Sequence, residues 1–147
     1  MKKALAFAGA ALLVCVAAGA ADKGTPEEAK ALLDKAVGAM KADQAKALAA
    51  FNDPKGGFVD RDLYVFCFDK DGRMTASGAN PSMVGTDANT LKAPDGRAVG
   101  TEMVALAAKG GGTLEYKWMS PTTKQVGDKV SFVKPAGSQT CGVGAYK

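Results

Sequence analysis

The sequence predicts an α+β domain in which helices pack on a five-stranded, largely antiparallel sheet. Three observations support this class. Residues 25–51 carry apolar side chains at helical spacing, five later segments are rich in strand-forming residues, and Gly, Pro, Asn and Asp separate those segments. A helical period at one end of the chain, followed mainly by strands joined by short turns, is typical of an antiparallel sheet with helices packed on it.

The length and composition are those of one ordinary domain. The chain has 147 residues, of which 47% are hydrophobic and 23% are charged, and this is too apolar for a disordered chain. Histidine is absent, which excludes Ser-His-Asp catalysis and imidazole metal sites. The net charge of +4 is not arranged as a basic stripe with aromatics between the charges, so no nucleic-acid partner is predicted. No metal and no cofactor are predicted either.

Residues 1–21 have the features of a secretory signal peptide. Two lysines precede an apolar stretch at residues 4–16, and Ala18-Gly19-Ala20 places small residues at the cleavage site. The apolar stretch is shorter than the roughly 20 residues that a membrane span needs. We expect cleavage after Ala20 or Ala21 and a single periplasmic or secreted domain over residues 22–147. The alternative is an uncleaved N-terminal anchor.

The first element of the predicted domain is one long helix over residues 25–51. Thr25-Pro26-Glu27-Glu28 forms a capping box, with proline at the first helical position. Asn52-Asp53-Pro54 ends the helix, because proline restricts the residue before it and cannot continue the hydrogen-bond ladder. The apolar stripe of this helix is interpreted as a face buried in the core.

A hairpin, a loop and a second helix are predicted next. Residues 63–68 form a buried strand, Asp69-Lys70-Asp71-Gly72 forms a turn, and residues 73–77 form the returning strand. Residues 78–96 are polar and lack a period, and a stretch of this length is often a binding loop or a lid. Residues 97–109 form an amphipathic helix that ends at three glycines.

Three strands at residues 113–119, 129–134 and 140–146 complete the predicted sheet. Alternation along the first of them places Tyr116 and Trp118 on one face, where they either wall a pocket or belong to the core.

The next strand carries Lys129 and Ser131 on one face. Lys129 is interpreted either as a cation that meets a carboxylate or as a solvated charge near the strand end.

Cys67 and Cys141 are the cysteines of the predicted mature chain. An even pair in an oxidising compartment forms a disulfide if the two strands are neighbours, and otherwise remains as two buried thiols. The residues alone leave both possibilities open. A metal site is not predicted, because two thiolates without further ligands cannot complete a tetrahedral shell.

The order and spacing of several segments resemble those of bacterial single Cache domains (type 2), which are extracytoplasmic relatives of the PAS fold. The segments that carry the resemblance are residues 58–60 and 64–66, Asp69-Lys70-Asp71-Gly72, residues 80–85, 92–96 and 109–112, and residues 114–118, 129–133 and 142–146. Phe132 departs from the pattern, since a tyrosine is expected there.

The resemblance implies that a small extracellular ligand, often a short-chain organic acid, binds between the sheet and the layer formed by residues 78–112. The residues expected to line that site are Tyr116, Trp118, Lys129 and Ser131. The PAS-like topology also implies that the first and last strands are neighbours, which would join Cys67 to Cys141.

The predicted function is an exported, stand-alone, non-enzymatic module that binds a small ligand. We expect it to pass its signal to a separate membrane sensor kinase or chemoreceptor, because the sequence carries no transmitter region. One alternative is a small exported enzyme that uses paired carboxylates such as Asp60 and Asp62. The other is a thiol-redox protein that uses Cys67 and Cys141, although exchange catalysts usually have closely spaced cysteines.

Overall fold

The computed structural model describes residues 22–147, so the predicted signal peptide at residues 1–21 lies outside the described residues. The domain begins with helix α1, Pro26–Ala42. The predicted capping box is present: Glu28 donates its backbone N–H to the Thr25 hydroxyl at 3.1 Å, and the Glu28 carboxylate accepts the Thr25 N–H at 2.7 Å. Two backbone N–H groups at the helix start are thereby satisfied.

The prediction of one continuous helix over residues 25–51 is wrong. The chain breaks at Asp43, and a second helix, α2, spans Gln44–Asn52. Asp43 has an extended backbone, and its side chain accepts the N–H of Lys46 at 3.0 Å. A short acidic side chain can cap a new helix in this way instead of continuing the old one. The chain therefore changes direction after Ala42.

Within residues 22–147, six strands form the sheet, and all of their pairings are antiparallel. Their bounds are β1 Val59–Asp60, β2 Leu63–Phe68, β3 Met74–Ser77, β4 Gly112–Met119, β5 Val126–Ala136 and β6 Gln139–Tyr146. The order is β1-β2-β6-β5-β4, with β3 paired to β2. The α+β class and the antiparallel sheet are confirmed, and the two-residue strand β1 is an addition to the five predicted strands.

Strand β5 is longer than predicted at both ends, because β4 pairs with its residues 126–133 and β6 pairs with its residues 129–136. Val126 is opposite Met119 on β4, and Ala136 is opposite Gln139 on β6. Residues 135–138 had the composition of a turn, but Pro135 pairs with Thr140 of β6. The turn between β5 and β6 therefore has only two residues, Gly137 and Ser138. As a consequence, Lys129 lies inside the strand and not near its end.

The two faces of the sheet are covered by different parts of the chain. Helices α1 and α2 pack on one face, where residues of β2, β5 and β6 complete an apolar cluster. The other face is covered by residues 78–111, which contain two 3-10 turns at Pro81–Met83 and Ala88–Thr90 and helix α3 at Val99–Ala108. None of the helices within residues 22–147 combines the length and apolar character that crossing a bilayer requires.

The central strands are joined by a disulfide between Cys67 on β2 and Cys141 on β6. These residues are directly opposite in the strand register, their Cα atoms are 4.1 Å apart, and neither is exposed. The predicted pairing is confirmed, and the alternative of two free thiols is excluded. Since catalytic cysteines need access to their partners, this buried bond is structural and does not favour a thiol-redox catalyst.

Candidate functional site

A cavity lies between the sheet and the layer formed by residues 78–111, on the face away from α1. Its empty volume is about 370 Å³, part of which is open to solvent. Aromatic residues of β2 and β4 form its sheet side, and apolar residues around α3 and the 3-10 turns form its cover. The lining residues are Tyr64, Phe66, Phe68, Met74, Ser77, Met83, Leu91, Val99, Gly100, Met103, Tyr116 and Trp118.

Tyr116 and Trp118 both line this cavity, because alternate residues of β4 point to the same face. Their rings meet edge to face with centroids 5.9 Å apart. They pack with residues of α3 and of the covering layer, and not beneath α1. Apolar ring surface and polar hydrogens are therefore both present at one wall of the cavity.

Lys129 is a fully interior cation, with 1% of its surface exposed. It is opposite Tyr116 on β4 and opposite Tyr146 on β6. Its Nζ atom donates a hydrogen bond to the Tyr64 hydroxyl at 2.8 Å, and lies 4.2 Å from the centre of the Tyr64 ring and 5.0 Å from that of Tyr146. The interpretation of Lys129 as a solvated strand-end charge is therefore wrong.

Burial changes the acid–base behaviour of Lys129. Removal from water lowers the pKa of this ammonium from its usual 10.5 to about 7, and the negative charge of Asp62 partly opposes the change. Burial also holds the pKa values of Tyr64, Tyr116 and Tyr146 above their usual range. The three phenols therefore remain protonated near neutral pH and keep an O–H to donate.

Ser131 is fully buried beside Tyr116, and the two hydroxyl oxygens are 2.9 Å apart. The structure thus brings the four predicted site residues together, but at two depths. Tyr116 and Trp118 line the cavity. Lys129 and Ser131 lie behind its wall and contact it through the hydroxyls of Tyr64 and Tyr116.

The Lys129 side chain crosses strand β6 at Gly144. A Cβ atom at that position would lie 2.4 Å from Cε of Lys129 and 2.3 Å from the Ser131 hydroxyl. Gly142, two residues earlier, gives similar clearance to the ring of Phe66, which would lie 2.4 Å from an added Cβ. Gly144 therefore forms the gap through which the lysine reaches Tyr64, and Gly142 leaves room for the Phe66 ring.

The sequence did not predict three residues of this site, which are Tyr64, Tyr146 and Gly144. The alternation of Gly142, Val143 and Gly144 is a signal for close approach of neighbouring side chains on one face of a strand. The alternation alone does not show which side chains come close, because that depends on the strands that pair with β6 on each side.

Asp60 and Asp62, considered as paired carboxylates in the sequence, do not share a site. The Asp60 carboxylate is exposed and pairs with Arg61 at 3.0 Å. Asp62 is buried, with 1% of its surface exposed. Its Oδ1 accepts the backbone N–H of Gly24 at 2.6 Å, whereas its Oδ2 is buried and has no hydrogen-bond partner among residues 22–147. The geometry does not support the acid–base pair that the enzyme alternative requires.

Comparison with protein families gives a match over nearly the whole chain. The family described as Single Cache domain 2 matches residues 5–145. Among residues 22–147, no group of three or more Cys, Asp or Glu side chains is placed to hold a metal ion. The matched segment includes all of the residues that line the cavity.

Two curated relatives are signalling proteins. The sensor histidine kinase MctS of Rhizobium johnstonii is 40% identical over 73 residues, which are 50% of this chain and 16% of that protein. The methyl-accepting chemotaxis protein McpP of Pseudomonas putida is 35% identical over 76 residues, which are 51% of this chain and 14% of that protein. The matched segment is thus a small part of each relative.

Solved structures of sensor domains have the same fold. A methyl-accepting chemotaxis protein of Vibrio parahaemolyticus is 25% identical with a TM-score of 0.69, and the match covers 82% of this chain and 86% of that one. A Cache chemosensory domain whose structure was described for carboxylic acid recognition is 31% identical with a TM-score of 0.62, with the same coverage. These similarities extend beyond topology to sequence.

Proposed function

Because the chain belongs to the single Cache domain 2 family, we propose that it is an extracytoplasmic sensor module that binds a short aliphatic carboxylate without turning it over. The observation that carries the proposal is Lys129, a buried cation hydrogen-bonded to the Tyr64 hydroxyl at the cavity wall. A buried positive charge is costly unless an anion compensates it. A carboxylate ligand would supply that anion.

The apolar lining of the cavity indicates that the part of the ligand beyond its carboxylate is hydrocarbon. Its wall is formed mainly by Phe, Met, Leu and Val side chains, which bind hydrocarbon by excluding water. A single cation behind the Tyr64 hydroxyl and apolar side chains elsewhere favour a monocarboxylate with a short aliphatic chain. The related Cache domain described for carboxylic acid recognition supports the same ligand class.

The test is calorimetry and thermal unfolding with propionate, using propionamide as the uncharged control of nearly equal shape. Propionate is expected to bind and to raise the melting temperature, since a ligand at 100 times its dissociation constant adds about 2.7 kcal/mol of stability. Propionamide is expected to bind at least about tenfold more weakly, because its neutral carbonyl oxygen can accept a hydrogen bond from the ammonium but forms no ion pair with it. Equal binding of the acid and the amide would contradict the proposed role of the cation.

We also propose that ligand occupancy is passed to a membrane sensor kinase or chemoreceptor. This rests on the two relatives, which are a sensor histidine kinase and a methyl-accepting chemotaxis protein. In those proteins the matched segment is one part of a longer chain, so signalling requires regions beyond the matched one.

Export of the domain after signal-peptide cleavage is a further part of the proposal. The basis is the sequence of residues 1–21, with two lysines, an apolar stretch and small residues at Ala18-Gly19-Ala20. Mass spectrometry of the protein from a periplasmic extract is expected to give an N-terminus at Ala21 or Asp22. Recovery of a chain that still begins at Met1 would contradict cleavage and favour the N-terminal anchor.

A further inference from the structure

We propose that the covering layer, residues 78–111, opens at the edge of the sheet formed by β4, and that Arg97 holds this edge closed. A ligand then enters the cavity beside β4. The route of the ligand rests on the proposed function, whereas the opening of the layer is a property of this chain and is tested without a ligand.

On the side of β3, the covering layer is attached to the sheet by main-chain hydrogen bonds. These bonds are 2.7–2.8 Å long and run from the N–H of Met74 to Thr86, of Gly85 to Met74, and of Ala88 to Gly72. Arg73 adds a bond on the same side, from its guanidinium to the carbonyl oxygen of Gly85 at 3.2 Å. The backbone itself therefore holds this edge, and loss of one side chain leaves it attached.

On the side of β4, the polar attachment is a single side chain. Arg97 donates from Nη1 to the carbonyl oxygen of Glu115 at 2.5 Å, and its Nε and Nη2 atoms donate to the Glu102 carboxylate at 2.7 and 2.6 Å. Glu102 of α3 thereby orients the guanidinium toward the strand. Within residues 22–147, the bond to Glu115 is the only hydrogen bond that joins residues 89–110 to a strand of the sheet.

The other contact at this edge is apolar packing. Val99 and Met103 of α3 belong to the same cluster as Leu114 and Tyr116 of β4. Apolar packing has no preferred direction, so a helix can tilt on it, whereas a hydrogen bond weakens steeply when its distance or angle changes. Since β4 is the last strand of the sheet, the oxygen of Glu115 can exchange the guanidinium for water at small cost.

A surface groove lies at this edge and leads to the buried cation. Its empty volume is about 700 Å³, part of which is open to solvent. Asp95 of the covering layer forms one side, and the other lining residues are Glu115, Tyr116, Lys117, Asp128, Lys129 and Lys147. Tyr116 also lines the cavity, so the groove and the cavity meet at this residue. An opening here brings a carboxylate to Lys129.

Hydrogen–deuterium exchange measured by mass spectrometry tests the opening without a ligand. Arg97→Met removes the bond to Glu115 but keeps an aliphatic side chain at an exposed position. Exchange within residues 91–102 is expected to become about fivefold faster, because an exposed charged contact adds modestly to the stability of the closed layer. Arg73→Met is the matched control. It removes a guanidinium-to-carbonyl bond on the side that the backbone holds, and this exchange should stay at the wild-type rate.

A second variant separates the bond to the strand from the ion pair inside the layer. Glu102→Gln removes the charge that pairs with Arg97 but leaves Arg97 able to donate to Glu115. It is expected to accelerate exchange less than Arg97→Met does. Equal acceleration in the two variants would overturn the proposal, because the ion pair alone would then account for the effect.

Stopped-flow fluorescence gives the rates of propionate binding, since Trp118 is the chain's single tryptophan and lines the cavity. The Arg97 bond holds the layer whether the cavity is empty or filled. In Arg97→Met the association and dissociation rates should therefore rise by the same factor, about fivefold, with the dissociation constant unchanged. A residue that contacts the ligand would instead change the dissociation constant, mainly through the dissociation rate. Arg73→Met should bind and release propionate at wild-type rates.

Three results would contradict the role of Arg97. The first is wild-type exchange of residues 91–102 in Arg97→Met, and the second is a changed dissociation constant with an unchanged association rate. The third is faster exchange in Arg73→Met than in Arg97→Met, which would place the opening at β3. Failure of propionate to bind the wild-type protein would contradict the proposed function, while hydrogen exchange would still decide whether Arg97 holds the edge at β4.

Discussion

Replacing Cys67 and Cys141 together by alanine is expected to lower the free energy of unfolding by about 4 kcal/mol. The disulfide joins residues separated by 74 positions, and closing a loop of that size removes much of the entropy of the unfolded chain. Total stabilities of single domains are about 5–15 kcal/mol, so the loss should be easily measured by urea unfolding of the oxidised protein and the variant.

Two further measurements test whether the loss of stability comes from the covalent link itself. Reduced wild-type protein should resemble the double variant, since both lack the covalent link. Propionate affinity of the folded variant should be nearly unchanged, because both cysteines belong to the cluster on the α1 side of the sheet. A loss of stability below about 1 kcal/mol would show that the link adds little to the pairing of β2 with β6.

Replacing Lys129 by methionine is expected to weaken propionate binding by about 2–5 kcal/mol, which is at least about thirtyfold. Methionine keeps much of the aliphatic chain that crosses Gly144 but cannot compensate a bound carboxylate. Isothermal calorimetry measures the affinity, and urea unfolding of the same samples shows whether the variant is folded.

Lys134→Met is the matched control for this variant. Lys134 lies on the same strand, but its side chain is half exposed and pairs with Asp34 of α1. The same substitution there should leave propionate affinity unchanged, while any small effect should appear in stability. Equal affinity of the Lys129→Met and wild-type proteins, with both folded, would place the ligand elsewhere.

Local sequence signals predicted the class of fold and most of its elements. The start of α1 was predictable because Thr25 and Glu28 form a capping box within four residues. The break at Asp43 was not, because an aspartate between two apolar helical stretches fits a solvated helix position as well as a cap. The ends of β5 were also missed, since pairing with β4 and β6 determines them.

The candidate site was predictable where it depends on alternation along one strand. Tyr116 with Trp118, and Lys129 with Ser131, share faces in the structure as period two requires. The contribution of Tyr64 could not be predicted in this way. It approaches Lys129 only because β2 lies beside β6 and β6 beside β5, an order that joins residues more than sixty positions apart.

The alternation along β6 has a consequence for how this domain can diverge in evolution. Cys141, Val143 and Ala145 belong to the cluster beneath α1, whereas Gly142, Gly144 and Tyr146 face the side chains of the cavity side. The two sets of neighbouring residues are therefore constrained by different contacts, the first by packing beneath α1 and the second by the clearances to Phe66, Lys129 and Ser131. If the proposed function holds, a change in the second set would alter the ligand site without disturbing the packing of the first.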